Sequence, residues 1–133
     1  MRPLSYLIVG IIVGSAVTGV ATAVAPETPS AHDPVQQSPE YYRVLLENDE
    51  VRVLEYRLRP AQKEPLHSHP EGVVYGFNNS RIRVAFADGQ VTESSGKAGD
   101  VFWRTPVTHA IENIGDTDVR SLAIEIKGSA RCH

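Results

Sequence analysis

Beyond Tyr41 the sequence alternates apolar and polar residues with a period of two, and no apolar spacing of three and four continues for the length of a helix. The clearest alternation lies in residues 81–86 and 122–127. Turn-forming residues separate these runs, as at Asp88-Gly89, where we expect a hairpin. Several short strands at this spacing predict an all-β fold, either a sandwich or a small barrel.

Residues 51–58 are also rich in strand-forming side chains, but their alternation is irregular. The irregularity falls between Val53 and Leu54. A β-bulge in this strand would explain it, because one extra residue reverses the faces of all those that follow.

The N-terminal 25 residues differ in composition from the rest of the chain. No charged residue follows Arg2 until Glu27, and residues 4–25 are mostly apolar or small. An early positive charge, an apolar run and a small-residue end are typical of an export signal, and the run is also long enough to span a bilayer as a helix. We therefore predict a signal peptide or an N-terminal membrane anchor over residues 1–25. Either one places the domain outside the cytoplasm: periplasmic, secreted, or tethered to the membrane through residues 4–25.

The segment between this leader and the first strand is rich in proline. Residues 26–40 contain four prolines and predict a flexible linker, so His32 is not counted as a ligand. The β-domain is expected to cover residues 41–128, followed by a C-terminal tail of residues 129–133. The only cysteine, Cys132, lies in that tail, which excludes an intrachain disulfide.

Charge and missing motifs narrow the function classes. Thirteen Lys and Arg against 16 Asp and Glu give a net charge of -3, so there is no basic excess to hold a phosphate backbone. We therefore predict no nucleic-acid partner. The sequence also contains no P-loop, dinucleotide-binding fingerprint or nucleophile elbow.

Two histidines separated by one residue, His67 and His69, give the strongest chemical signal. On a strand such residues face the same side, so both imidazoles can point at one cation. Imidazole suits Zn, Fe, Ni and Cu. The pattern alone is weak, because such pairs are also common as packed or surface histidines.

A second group of residues makes the pattern specific. The chain resembles the cupin superfamily of small double-stranded β-helix, or jelly-roll, barrels. The resemblance covers roughly residues 44–127 and rests on His67, His69, Gly99, Asp100, Pro106, His109 and Asn113. It implies a single-domain cupin barrel in which His67, His69 and His109 bind one divalent transition metal.

The metal ligands of the family pattern are not all matched. In the family pattern, three or four residues separate the second histidine from a Glu. At the corresponding positions this chain has Val73 or Val74. Glu71 falls too early and is kept as a possible ligand. A site of three histidines resembles that of the thiol dioxygenases, so Fe(II) is the expected metal, with Zn, Ni, Mn or Cu as alternatives.

The walls of the substrate pocket are predicted from positions near these motifs. Gly76 would leave room inside the barrel, and Trp103 would line the opening. Arg104 lies near the third histidine and is the best candidate for contacting an acidic substrate. Glu64, just before the first histidine pair, is interpreted as a surface charge.

Three functions are consistent with these residues. The first is an exported, metal-dependent, dioxygenase-like enzyme acting on a small molecule. The second is a non-catalytic cupin that binds a metal or a small ligand. The third is a structural module whose histidines bind nothing. A partly exposed apolar barrel face would in addition favour a homodimer.

Overall fold

The computed structural model describes residues 31–128, which fold into two antiparallel β-sheets and one short helix. The helix is α1 (Pro34–Gln37). The strands are β1 (Tyr42–Glu47), β2 (Val51–Leu58), β3 (Lys63–His69), β4 (Gly72–Gly76), β5 (Ser80–Phe86), β6 (Val91–Gly96), β7 (Val101–Arg104), β8 (Val107–Asn113) and β9 (Val119–Ile126).

The strands divide between a five-stranded sheet A, in the order β1-β2-β9-β4-β7, and a four-stranded sheet B, in the order β3-β8-β5-β6. The all-β prediction is confirmed. The predicted apolar helix and leader of residues 1–25 lie outside the described residues, as does the tail of residues 129–133. Within residues 31–128, no helix has the length and hydrophobicity that crossing a bilayer requires.

The inner face of sheet A supplies the apolar core. Leu54, Val74 and Ala123 form one buried cluster on three neighbouring strands. A second cluster, which includes Leu58 and Val119, continues along β2 and β9. Burial of these side chains between two sheets is the main force that closes the barrel.

The irregular alternation in β2 has a different cause from the predicted one. β2 pairs with β9 in an unbroken register from Val51 to Leu58, so the predicted bulge in this strand is wrong. Alternation continues, but the inward position before Leu54 holds a charged residue, Arg52, which pairs with buried acids. The bulge lies in β1, where the register shifts between Val44 and Leu46.

Residues 31–40 are part of the folded domain. Asp33 caps α1 by accepting a hydrogen bond from the amide of Val35 at 3.0 Å, and Pro34 follows it as the first helical residue. Val35 packs against the Leu54 cluster, and the carbonyl of His32 accepts a hydrogen bond from the amide of Ser68 at 2.7 Å. The flexible linker predicted for residues 26–40 is therefore wrong for residues 31–40. Residues 26–30 lie outside the described part.

The outer face of sheet A carries a continuous apolar row. The row consists of one residue from each strand, each paired with the next across the sheet: Leu46, Val53, Ile124, Val73 and Trp103. Trp103 at the edge is 54% exposed. Such a face matches the surface expected of a homodimer, whose formation stays a prediction.

The ion pair between Asp33 and Arg52 predicts how firmly the N-terminal segment is held. Their Oδ2 and Nη1 atoms lie 2.8 Å apart, and both side chains are mostly buried. Asp33→Asn should lower the free energy of unfolding by about 1–3 kcal/mol in urea titrations. The reason is that the buried Arg52 loses one of its two carboxylate partners. Glu93→Gln, which breaks only exposed ion pairs, is the control and should leave the midpoint unchanged. Equal effects of the two changes would contradict docking through this pair.

Candidate metal centre

The three motif histidines come together on the inner face of sheet B. His67 and His69 lie on β3, and His109 on β8 is paired directly opposite His67. Ring centroids lie 4.8 Å apart for His67 and His69, and 4.7 Å apart for His67 and His109. One nitrogen of each ring lies within 4.8 Å of the others. The predicted convergence of these side chains is confirmed.

Glu71 does not join this group, which consists of the three histidines alone among the residues that the structure describes. It lies on the bend between the end of β3 and the start of β4. Pro70 ends the strand before it, so its parity with His69 no longer places it on the same face.

Hydrogen bonds at Nδ1 fix the His67 and His69 rings, and Nε2 of each has only a long contact with the Tyr42 hydroxyl. His67 Nδ1 donates to the carbonyl of Pro65 at 2.8 Å, and His69 Nδ1 donates to Oε1 of Glu125 at 2.6 Å. Within the described residues, the buried Nε2 of His109 has no hydrogen-bond partner. Imidazoles fixed by one nitrogen and free at the other are the usual arrangement at a protein metal site. The three histidines can therefore hold a divalent transition metal ion.

Burial keeps these rings neutral. It lowers the pKa of His67 to about 4 and that of His109 to about 3. It also lowers the pKa of His69, although the hydrogen bond to Glu125 acts in the opposite direction. Neutral imidazole is the form that binds metals, so protons compete little for this site near neutral pH.

Comparison with known proteins agrees with this geometry. No family model matches the sequence, and neither does any curated protein. A cupin domain from Bordetella pertussis Tohama I superposes with a TM-score of 0.60 at 27% identity, over 65% of this chain and 92% of that one.

The chain has the fold of the cupin superfamily.

Two further structures share the fold of this cupin. A conserved protein with a double-stranded β-helix domain from Klebsiella pneumoniae has a TM-score of 0.54 at 24% identity, covering 77% of this chain and 84% of its own. The polyketide cyclase RemF from Streptomyces resistomycificus has a TM-score of 0.50 at 19% identity, covering 65% of this chain and 64% of its own. At these identities the similarity extends to the fold alone.

Behind His69, this cupin has a chain of buried charges that sequence reasoning missed. Glu125 on β9 accepts the His69 hydrogen bond through Oε1, while its Oε2 lies 2.7 Å from Nη2 of Arg52. Arg52 in turn reaches Asp33. Burial alone would raise the pKa of Glu125, but His69 and Arg52 together lower it. Glu125 is therefore ionised and fixes the orientation of the His69 ring.

Glu125 and Arg52 left a weak signal in the sequence. Each is a charged residue between two apolar ones, and the apolar neighbours of Glu125, Ile124 and Ile126, face outward. A charged residue on the same face as a buried small one, here Ala123, is the pattern that could have identified it.

A second buried acid lies behind His67. Oε1 of Glu64 is 3.2 Å from His67 Nδ1, and the carboxyl is almost completely buried, so its interpretation as a surface charge is wrong. Burial raises the pKa of Glu64 to about 7, although the nearby hydroxyls of Tyr56 and Tyr42 oppose the shift. Tyr42 also brings its hydroxyl to 3.4 Å from Nε2 of His67 and 3.5 Å from Nε2 of His69. Nothing in the sequence indicated the position of Tyr42.

A cavity of about 550 Å³ opens beside the histidines. Gly76, Trp103 and Arg104 all lie in its wall, where the sequence placed them. Phe102, however, is the aromatic residue that shares the inward face with Val74, since Trp103 pairs with outward-facing residues. The larger part of the wall surface is apolar and includes Val74, Ile82, Val84, Ile111 and Val119, while Asn78, Ser80, Thr92, Ser94 and Ser95 add polar groups.

The closing Asn of the second motif has a structural position. Asn113 donates to the carbonyls of Leu58 at 2.9 Å and Thr117 at 2.8 Å. It therefore ties the turn after β8 to the end of β2 and makes no contact with the His109 ring through these bonds.

Removing a ring or its buried support should affect metal content differently. His109→Ala is expected to lose most bound metal while the far-UV circular dichroism is unchanged, because one of three ligands is gone. Glu125→Gln should weaken metal affinity by about 10–100-fold, because the His69 ring loses its charged acceptor. Elemental analysis and chelator competition measure both effects. His32→Ala, which changes a histidine outside the group, is the control. If His109→Ala bound as much metal as His32→Ala, the proposed site would be refuted.

The histidine pKa values predict how the metal-free protein responds to acid. An unfolded histidine has a pKa of about 6.5, so below that pH the unfolded chain binds protons that folded His67 and His109 exclude. Their stabilising contribution is complete above pH 6.5 and is lost as the pH falls toward their folded pKa values. Glu64 acts in the opposite direction, because its raised pKa makes the folded state bind the extra proton.

Two histidines outweigh one carboxyl, so the free energy of unfolding should fall by about 1 kcal/mol per pH unit between pH 6.5 and 5. Urea titrations in the presence of a chelator measure this slope. The double variant His67→Gln with His109→Gln should reverse or flatten it. A metal-free wild type that becomes more stable over the same interval would show that the rings are not held neutral.

Proposed function

We propose that this protein is an exported single-domain cupin that binds a divalent transition metal, expected to be Fe(II), and acts as a dioxygenase-like enzyme on a small molecule. His67, His69 and His109 are the proposed ligands. The observation that carries the proposal is the convergence of three neutral imidazoles, each held within a buried setting, at the wall of a cavity.

An Fe(II) ion held by three neutral imidazoles keeps its full charge and would supply both Lewis acidity and redox chemistry with O₂. The protein supplies orientation: Glu125 fixes the ring of His69, and the carbonyl of Pro65 fixes that of His67. Burial raises the pKa of Tyr42 well above its ordinary value. Its hydroxyl therefore keeps its proton and can donate it in a hydrogen bond to a substrate atom beside the histidines.

The cavity supports a small-molecule substrate. Its volume of about 550 Å³ lies within the range typical of small-ligand pockets. Gly76 adds no side chain to this space, and a β-carbon there would lie 3.4 Å from the carbonyl oxygen of Lys97. A ligand that covers the apolar part of the wall would displace water from the atoms beside the histidines, which would strengthen polar interactions made there.

A cupin that binds a metal or small ligand without turnover is the second candidate. It is favoured by the composition of the ligand group, which in residues 31–128 contains no carboxylate. A site without that negative charge attracts a cation less strongly, so the metal would exchange more readily.

Export is proposed from the leader. An early arginine, an apolar run and small residues near position 23 fit a secretory signal. Fractionation of expressing cells, with N-terminal sequencing of the recovered protein, separates a cleaved signal from a retained anchor. Recovery of the full chain in the soluble cytoplasmic fraction would contradict export.

The decisive experiment is elemental analysis of untagged protein, followed by anaerobic reconstitution with Fe(II) and measurement of O₂ uptake with a panel of small organic acids, thiols and phenols. We expect about one metal per chain and substrate-dependent uptake that His67→Ala abolishes. Bound metal without uptake for any compound would favour the binding function. Negligible metal in both wild type and His67→Ala would exclude the metal-based form of both functions.

A further inference from the structure

Arg104 is a buried charged residue in the wall of the cavity, and its hydrogen bonding is incomplete. It closes β7 and its side chain is only 13% exposed. Among the described residues its buried Nε has no hydrogen-bond partner. Its Nη2 lies 3.4 Å from Oε1 of Glu125, at the outer limit of a hydrogen bond. A buried guanidinium donor left without an acceptor is unfavourable unless a ligand supplies one.

Glu125 cannot fully compensate this charge, because stronger partners already occupy its oxygens. Arg52 binds Oε2 through two nitrogens at 2.7 and 2.8 Å, and His69 binds Oε1 at 2.6 Å. Asp33 pairs with Arg52 on the far side from the cavity. The two negative charges of Asp33 and Glu125 equal in number the two positive charges of Arg52 and Arg104. The contact of Arg104 with Glu125 is nevertheless the longest among these ion pairs.

The charged and apolar groups of the cavity wall indicate what kind of anion would fit. The fork of a guanidinium matches the two oxygens of a carboxylate. A phosphate dianion would need further positive charge, yet the other cationic residues of the wall, Lys97 and Arg120, are both exposed. Beyond Arg104 the wall is mostly apolar, including Val74, Ile82 and Val84.

We propose that the cavity binds a small monocarboxylate with an apolar body, whose carboxylate is anchored by the guanidinium of Arg104 beside the three histidines. That such an acid is a substrate, and not only a ligand, rests on the proposed function. The binding itself depends on Arg104 and is therefore measurable without metal or turnover.

Isothermal titration with matched acids and amides tests the proposal. The probes are isobutyrate, hexanoate and 3-phenylpropionate, each beside its primary amide, titrated into the metal-free and the Zn-loaded protein. At least one acid should bind about tenfold or more tightly than its amide in both forms, because charge-assisted hydrogen bonds are lost with the amide. Arg104→Gln should abolish this preference, Arg104→Lys should retain part of it, and Arg120→Gln should retain it fully.

The remaining outcomes overturn the proposal. Equal binding of acids and amides by the wild type, or no binding of any probe at millimolar concentration, excludes a carboxylate subsite. If Arg104→Gln still bound acids more tightly than amides, another group would bind the carboxylate. If the wild type bound acids more tightly only when loaded with Zn, the metal would bind it. Loss of preference counts only where Arg104→Gln keeps wild-type circular dichroism and Zn content. Where it does not, the Arg104→Lys result decides. Failure of the metal proposal alone would leave the preference in the metal-free protein intact.

Discussion

The carboxylate of Glu125 is the interaction on which both the fold and the site depend. It lies on β9, at the centre of sheet A, and bonds to His69 across the barrel, to Arg52 on the neighbouring strand and weakly to Arg104 at the sheet edge. A buried carboxylate is tolerated only where such partners replace water. The same contacts join the two sheets, because His69 belongs to sheet B. The polar core is therefore a requirement of the site, and the apolar clusters pack around it.

Strand register gives the site its accuracy. His67 and His69 share a face because they are two residues apart, and the pairing of His67 with His109 places the third ring across the same ladder. A shift of one residue in either strand would turn a ring to the opposite face. The Ser68 and Thr108 hydroxyls, which lie 2.8 Å apart on the outer side of the same pair of strands, stabilise this register.

Local pattern predicted the strands, the barrel fold and the three histidines that come together, since alternation and the spacing of His67, His69 and His109 are properties of short segments. The supporting groups could not be predicted in this way. Asp33, Tyr42 and Glu125 are brought together by long-range pairing of β1, β2 and β9, and no short segment contains more than one of them. The proline-rich composition of residues 31–40 was misleading for the same reason. Its order comes from docking on the barrel, through Asp33 and Val35.

Charge balance connects the features of the cavity. A divalent cation among three neutral imidazoles adds two positive charges to a region where Asp33 and Glu125 already balance Arg52 and Arg104. Such an excess in a poorly solvated space is unfavourable until an anion enters. Because the wall offers Arg104 at one point and apolar surface at most others, an anionic ligand would be held by one end only. The lack of a carboxylate among the ligand atoms thus has a consequence for selectivity, since the compensating negative charge would come from ionisation of the nearby Glu64 or from an anionic substrate.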